Sequence, residues 1–129
     1  MSSPESWLKA TIETAGACTA WPLVPSEGSA PPFVVYARDS TDRPLQTSGL
    51  TGFAEGMFGL EVYADGYSLV RAAADAIRAA LHNFTGSGSG ATIDHVHVSD
   101  EKDGSPVFLD GRDVPTFVVE MNVFIRWQE

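Results

Sequence analysis

The sequence predicts an α+β domain: an antiparallel four-stranded sheet with two helices packed on one face, in the order α-β-β-α-β-β. Three observations predict it. Residues 116–128 alternate, with Phe117, Val119, Met121, Val123, Ile125 and Trp127 apolar and Thr116, Glu120, Asn122 and Arg126 polar between them. Side chains alternate across a strand, so this stretch is one long strand with one face in a core. Residues 69–84 repeat with the helical period instead, and a shorter stripe of the same kind opens the chain. The hairpins and helices are segregated rather than interleaved as β-α-β units, which separates α+β from α/β.

Taken in order, Ser3, Pro4 and Glu5 begin a helix: a capping hydroxyl, a ring that fits the first helical position, and an acid at the positive end of the dipole. Trp7, Leu8, Ile12 and Ala15 form its apolar stripe, and Gly16 is the stop. Ala20 to Pro25 is extended, because each residue before a proline is pushed out of the helical region. A loop from Gly28 leads to a strand from Pro32 to Arg38. Residues 39–56 contain Pro44, Gly49, Gly52 and Gly56 and show no period, so they read as a long arm. Structureless loops of that length either work or are disordered. This one keeps Leu50 and Phe53, so it is expected to order on a partner surface.

Met57 to Ala64 is the second strand, with Phe58, Leu60 and Val62 on its apolar parity. The main helix follows and ends near Phe84. Its apolar positions are Leu69, Val70, Ala73, Ala76, Ile77, Ala80, Leu81 and Phe84, with Arg71, Asp75 and Arg78 solvated. Its alanines favour helix and allow close approach to a sheet. Residues 86–90 read as a flexible Gly-Ser connector. Ala91 to Ser99 is the third strand. Residues 99–115 form an acidic hairpin connection with a short edge strand at Val107 to Leu109. The alternating strand then closes the sheet, and Val118 and Phe124 on its polar parity predict a partly covered second face.

At 129 residues and 43% hydrophobic content the chain is read as a single domain with a real core. It has no apolar run of about eighteen residues and no charged-then-apolar leader, so neither a membrane span nor a signal peptide is expected. Cys18 is the single cysteine, which excludes an internal disulfide and suits a reducing compartment. A buried, inert thiol is expected there. The net charge is −9, and the 8 basic residues are scattered without a stripe. Phosphate neutralisation needs clustered Lys and Arg, so a sequence-reading nucleic-acid binder is not expected. An acidic surface does suit a wall past which a polyanion slides without sticking.

The residues that carry chemistry elsewhere do not assemble a set here. His95 and His97 stand at i and i+2 on a strand and share a side, where two imidazoles can chelate a divalent metal if a third ligand arrives. Asp94 points the other way and no HExxH or CxxC completes them, so both are read as exposed histidines. His82 is read as a surface residue favoured by the negative end of its helix. The run from Asp100 to Gly104 lacks the spacing of a calcium loop and has Lys102 in its middle. No GxSxG is present, Cys18 has no local base, and the Gly86–Gly90 stretch lacks the lysine of a phosphate loop. Neither catalysis nor a metal site is expected.

The order of features does resemble a family. A short N-terminal helix precedes Pro32-Phe33-Val34-Val35-Tyr36. Leu60-Glu61-Val62-Tyr63-Ala64 then leads into the alanine-rich helix from Ser68 to Leu81, and an acidic segment precedes a last strand ending Ile125-Arg126-Trp127. Across nearly the whole chain this is similar to the tail-completion and tail-terminator proteins of long-tailed bacteriophages, although the 39–56 loop is long for them. The resemblance implies a non-enzymatic subunit without a cofactor. Copies of it form a ring, commonly a hexamer, which ends tail-tube growth and joins tail to head. Its partners would be itself, the tail tube protein and head-side neck or connector proteins. Viral DNA would pass through without sequence-specific binding, and no membrane is involved. It would be assembled in the host cytoplasm and reside in the tail or neck of the virion. On that reading Leu50, Phe53, Val118 and Phe124 lie at subunit or neck contacts, and Asp100, Glu101 and Asp103 line the channel. The alternatives are a tail tube, baseplate or adaptor subunit and, from a different class, a small-molecule- or metal-binding α+β domain using His95 and His97.

Overall fold

A computed structural model describes residues 4–23, 31–43, 45–46, 49–50, 52–108 and 115–129, with the backbone alone for 45, 46, 49 and 50. The elements are α1 (Pro4–Gly16), β1 (Thr19–Pro22), β2 (Phe33–Asp42), β3 (Leu45–Gln46), β4 (Gly49–Leu50), β5 (Phe53–Ala64), α2 (Tyr67–Leu81), β6 (Gly86–Gly88), β7 (Ala91–Asp103) and β8 (Phe117–Gln128). The main sheet has six strands in the order β1-β2-β5-β8-β7-β6 and is curled, while β3 and β4 pair, among the described residues, as a separate two-stranded ribbon. β1 joins β2 in parallel and the remaining neighbours are antiparallel.

This corrects the four-stranded antiparallel sheet expected from the sequence. The strands that were missed are those without a side-chain pattern. β1 is four residues long and ends in Pro22, which is tolerated at a sheet edge. β6 is Gly-Ser-Gly, joined to β7 through Ser89 and Gly90, both at positive φ. The segment read as an arm is largely ladder, since Ser40, Thr41 and Asp42 pair with Met57, Gly56 and Glu55. A bulge at Asp39 breaks the alternation that would have revealed it. β7 likewise runs on through Asp100 to Asp103, behind two register shifts. Residues 24–30 and 109–114 lie outside the described residues, and with them Asp110, Asp113 and part of the acidic connection.

β8 is central, flanked by β5 and β7. Its apolar parity is buried as the alternation predicts, with Val119, Val123 and Ile125 at 0% exposure. Both helices cover that one face. α1 contributes Trp7, Leu8 and Ile12, and α2 contributes Val70, Ala74, Ile77 and Leu81, to a cluster with Val34, Phe58, Leu60, Val62, Ile93 and Val96. Each such aliphatic side chain, fully buried, contributes about 1.5–3 kcal/mol of transfer free energy. α2 buries Val70, Ile77 and Leu81 as expected, together with Ala74, but its stripe is narrower than the sequence predicts: Leu69 is 62% exposed and Ala76 is exposed. Gly16 ends α1 where it meets α2, since a Cβ there would stand 3.1 Å from Ile77 Cδ1 and 2.9 Å from Cys18 Sγ. At the far end Arg38 lies over the Trp127 ring at 4.9 Å and grips Glu5 with bonds of 2.8 and 2.6 Å, tying sheet to α1. A paired, stacked guanidinium is how such a charge is kept at the margin of a core.

Candidate functional site: the open face of the sheet

With one face under helices, the other parity of the same strands forms an open face. β5 presents Phe53, Glu55, Met57, Gly59, Glu61 and Tyr63 there, alternating with the buried residues of its opposite parity. β8 presents Val118, Glu120, Asn122, Phe124 and Arg126. Asp39, at the bulge, lies over Gly59, where a Cβ would come within 3.0 Å of its carboxylate. Glu61 and Glu120 are direct cross-strand partners, and Lys102 sits on the far side of Glu120. Like charges directly opposite cost up to about 1 kcal/mol. A shallow groove of about 280 Å³ runs over this spot, lined by Leu23, Val35, Asp39, Glu61, Asp100 and Lys102 among others. Burial, then the neighbouring Glu61 carboxylate, pushes the Tyr63 phenol up.

The three acids expected to line a channel do not share a surface. Asp100 and Lys102 pair with Asn122 and Glu120 and so belong to the open face. Glu101 and Asp103 fall on the helix side, where α2 meets them. Arg71 reaches Glu101 at 2.6 Å and Asp103 at 3.3 Å, Arg78 reaches Glu101 at 3.0 Å, and Tyr67 donates to Asp103 at 2.9 Å. Asp75 closes the network 3.1 Å from Arg78. The hydrogen bond from Tyr67 to Asp103 holds that phenol above its ordinary value. A period of two carried through residues 100–103 would have separated these pairs; a hairpin tip has no such period, so the sequence reading grouped them.

The four residues expected at contacts also divide. Val118 is 6% exposed, packed under Gly104, whose N–H donates to the Val118 carbonyl at 2.9 Å. Phe53 lies beneath the Arg126 guanidinium at 4.6 Å. Phe124 is half-buried between Met57 and His97, its partners on either side. Leu50 falls in β4, and its side chain is outside the described residues.

His95 and His97 flank the buried Val96 and are both exposed, as expected. The imidazole near His97 is His82, at 5.1 Å between ring centroids. His82 Nδ1 accepts a hydrogen bond from the Val98 N–H at 3.1 Å, so the neutral ring carries its proton on Nε2 and offers no lone pair there. Among the described residues no three His, Cys, Asp or Glu side chains come together as a metal site. Cys18 is half-buried and burial raises its thiol pKa, with Glu13 adding to the effect, so thiolate is scarce.

No protein-family model matches the chain, and no curated protein sequence matches it. Among solved structures, a chain of the virion of a native gene transfer agent particle is similar in fold. Its TM-score is 0.64 at 19% sequence identity, covering 95% of this chain and 84% of that chain. At that identity the likeness is one of architecture, and it extends over essentially the whole domain.

Proposed function

We propose that this chain is a structural subunit of a phage-like virion, working by shape, without catalysis and without a cofactor. Within that class we assign it as a tail-terminator or tail-completion subunit, located in the tail or neck after assembly in the host cytoplasm. Copies close into a ring, taken as a hexamer, that ends tube growth and joins the tail tube to the head-side neck proteins. The observation that carries this reading is the likeness to a gene transfer agent virion chain over 95% of the sequence. The order of sequence features that resembles the terminator family supports the finer assignment. So does the open face. Asp39, Glu55, Glu61, Asp100 and Glu120 outnumber Lys102 and Arg126 on it, which suits a channel wall that repels DNA. Phe124 and the β3–β4 ribbon are left for neighbouring subunits, whereas Glu101 and Asp103 serve the fold.

Native mass spectrometry and electron microscopy of the purified chain across a concentration series test the assignment. A closed ring is the expected product. An indefinite stack would reassign the chain to a tube, and a monomer at every concentration would overturn the ring altogether.

A further inference from the structure

Beyond β6, which covers only Ala91 to Ile93, the outer edge of β7 has no strand beside it among the described residues. An unpaired edge is a template for another chain. Here the turn leaving α2 covers part of it. The Asn83 N–H donates to the Val96 carbonyl at 2.9 Å, and the Val98 N–H donates to His82 Nδ1 at 3.1 Å. His82 is the C-cap of α2, its own N–H resting on the Arg78 carbonyl at 2.8 Å, and Asn83 turns the chain with φ of 65°. The helix end is thus fastened to the strand edge by one backbone donor and one side-chain acceptor. The second fastening is conditional: an imidazole nitrogen accepts only while it carries no proton, and imidazolium is a donor at both nitrogens.

We propose that His82 is a proton-operated latch on the free edge of β7. When neutral it holds the Val98 amide; when protonated it turns a donor toward a donor, and that part of the edge is released. Imidazoles as a class change charge in the window of about pH 5 to 8. Its titratable neighbour on β7 is His97, whose ring is 5.1 Å away, with His95 and Asp94 further along the strand. On its own helix the nearest charge is Arg78, one turn back, already held by Asp75 at 3.1 Å and by Glu101 of β7 at 3.0 Å. The Arg78 charge beside His82 is therefore compensated. A released Val98 amide presents an unpaired donor to water or to an approaching strand.

Amide hydrogen exchange read by NMR on the intact chain, normalised to intrinsic rates, tests the latch. Between about pH 7.5 and 5, the Val98 amide should lose about tenfold of its protection while the central Leu60 amide keeps its own. His82→Asn places a carbonyl oxygen where Nδ1 stood and should keep Val98 protected at both values; His82→Phe should leave it unprotected at both. His97→Phe should retain the pH response. Equal Val98 protection at both pH values in the unmodified chain would overturn the proposal. So would a loss shared by Leu60, or a response that disappears with His97. Imidazole nitrogen shifts give a second reading, because finding the neutral His82 proton on Nδ1 would sink the latch directly.

Discussion

The two faces of the sheet are built from the same strands and differ in what each asks of its residues. On the covered face Phe58, Leu60, Val62, Val119, Val123 and Ile125 are at or near zero exposure, and every one of them lowers the free energy of folding. On the open face, one residue away along each strand, Glu61 stands opposite Glu120 and Asp39 overhangs Gly59. The first set answers a packing problem. The second carries a like-charged cross-strand pair, with Lys102 on the other side of Glu120 as its counter-charge.

Substitutions that test this contrast should differ in sign as well as in size. Phe58→Ala, on the covered face between the helices and the Trp127 ring 6.0 Å away, is expected to cost about 3–5 kcal/mol in a urea melt. A loss below about 1 kcal/mol would mean that the core is looser than its burial implies. Glu101→Gln, beneath Arg71 and Arg78, is expected to cost about 1 kcal/mol, because its side chain is only 14% exposed and two guanidiniums lose one of their counter-charges. Glu120→Gln is expected to go the other way. Relieving the pair with Glu61 should leave stability unchanged or raise it by up to about 1 kcal/mol. A clear destabilisation would show that the open-face acids serve the fold. The companion measurement is DNA passage: lysine at Asp100, Glu61 and Glu120 should stall it in assembled particles while rings still form. Unchanged infectivity would count against a channel role for this face.

Two smaller effects fall outside both faces. The hydrogen bond from Lys9, 2.9 Å away, holds the Glu13 carboxyl below its ordinary range. A depressed carboxylate contributes stability above its unfolded value and loses it as pH falls through the folded one. Lys9→Ala should therefore flatten the acid limb of a stability–pH curve by about 0.3–0.5 kcal/mol, discounted because both partners are a third or more exposed. Cys18 should react with iodoacetamide slowly in the folded chain and at the rate of a free thiol in denaturant, as its raised pKa and half-burial require.

What was legible in the sequence follows the same division. β8 is legible to within one residue because its apolar row from Phe117 to Trp127 recurs at every second position against a helix-covered face. α2 is legible in type and in its buried Val70, Ile77 and Leu81, but alanines on every side leave the apolar stripe without sharp borders, so exposed Leu69 and Ala76 read as part of it. β1 and β6 were not legible, being four and three residues of backbone ladder whose Pro and Gly carry no alternation. The extension of β7 was hidden by its charges, which alternate between an open surface and the arginines of a helix distant in sequence. Of the candidate site, the acidic character was visible in the composition. Its placement on β5 and β8, rather than on a loop, needed the register.

The brevity of β1 and β6 has its own consequence. The long strands β5 and β8 are paired on both sides, β1 and β6 cap one end of β2 and of β7, and the stretch of β7 past β6 carries charge or is fastened by the end of α2. A sheet with blunted margins does not recruit further molecules strand by strand, so it resists the runaway, fibre-like accretion to which β-rich chains are prone at high concentration.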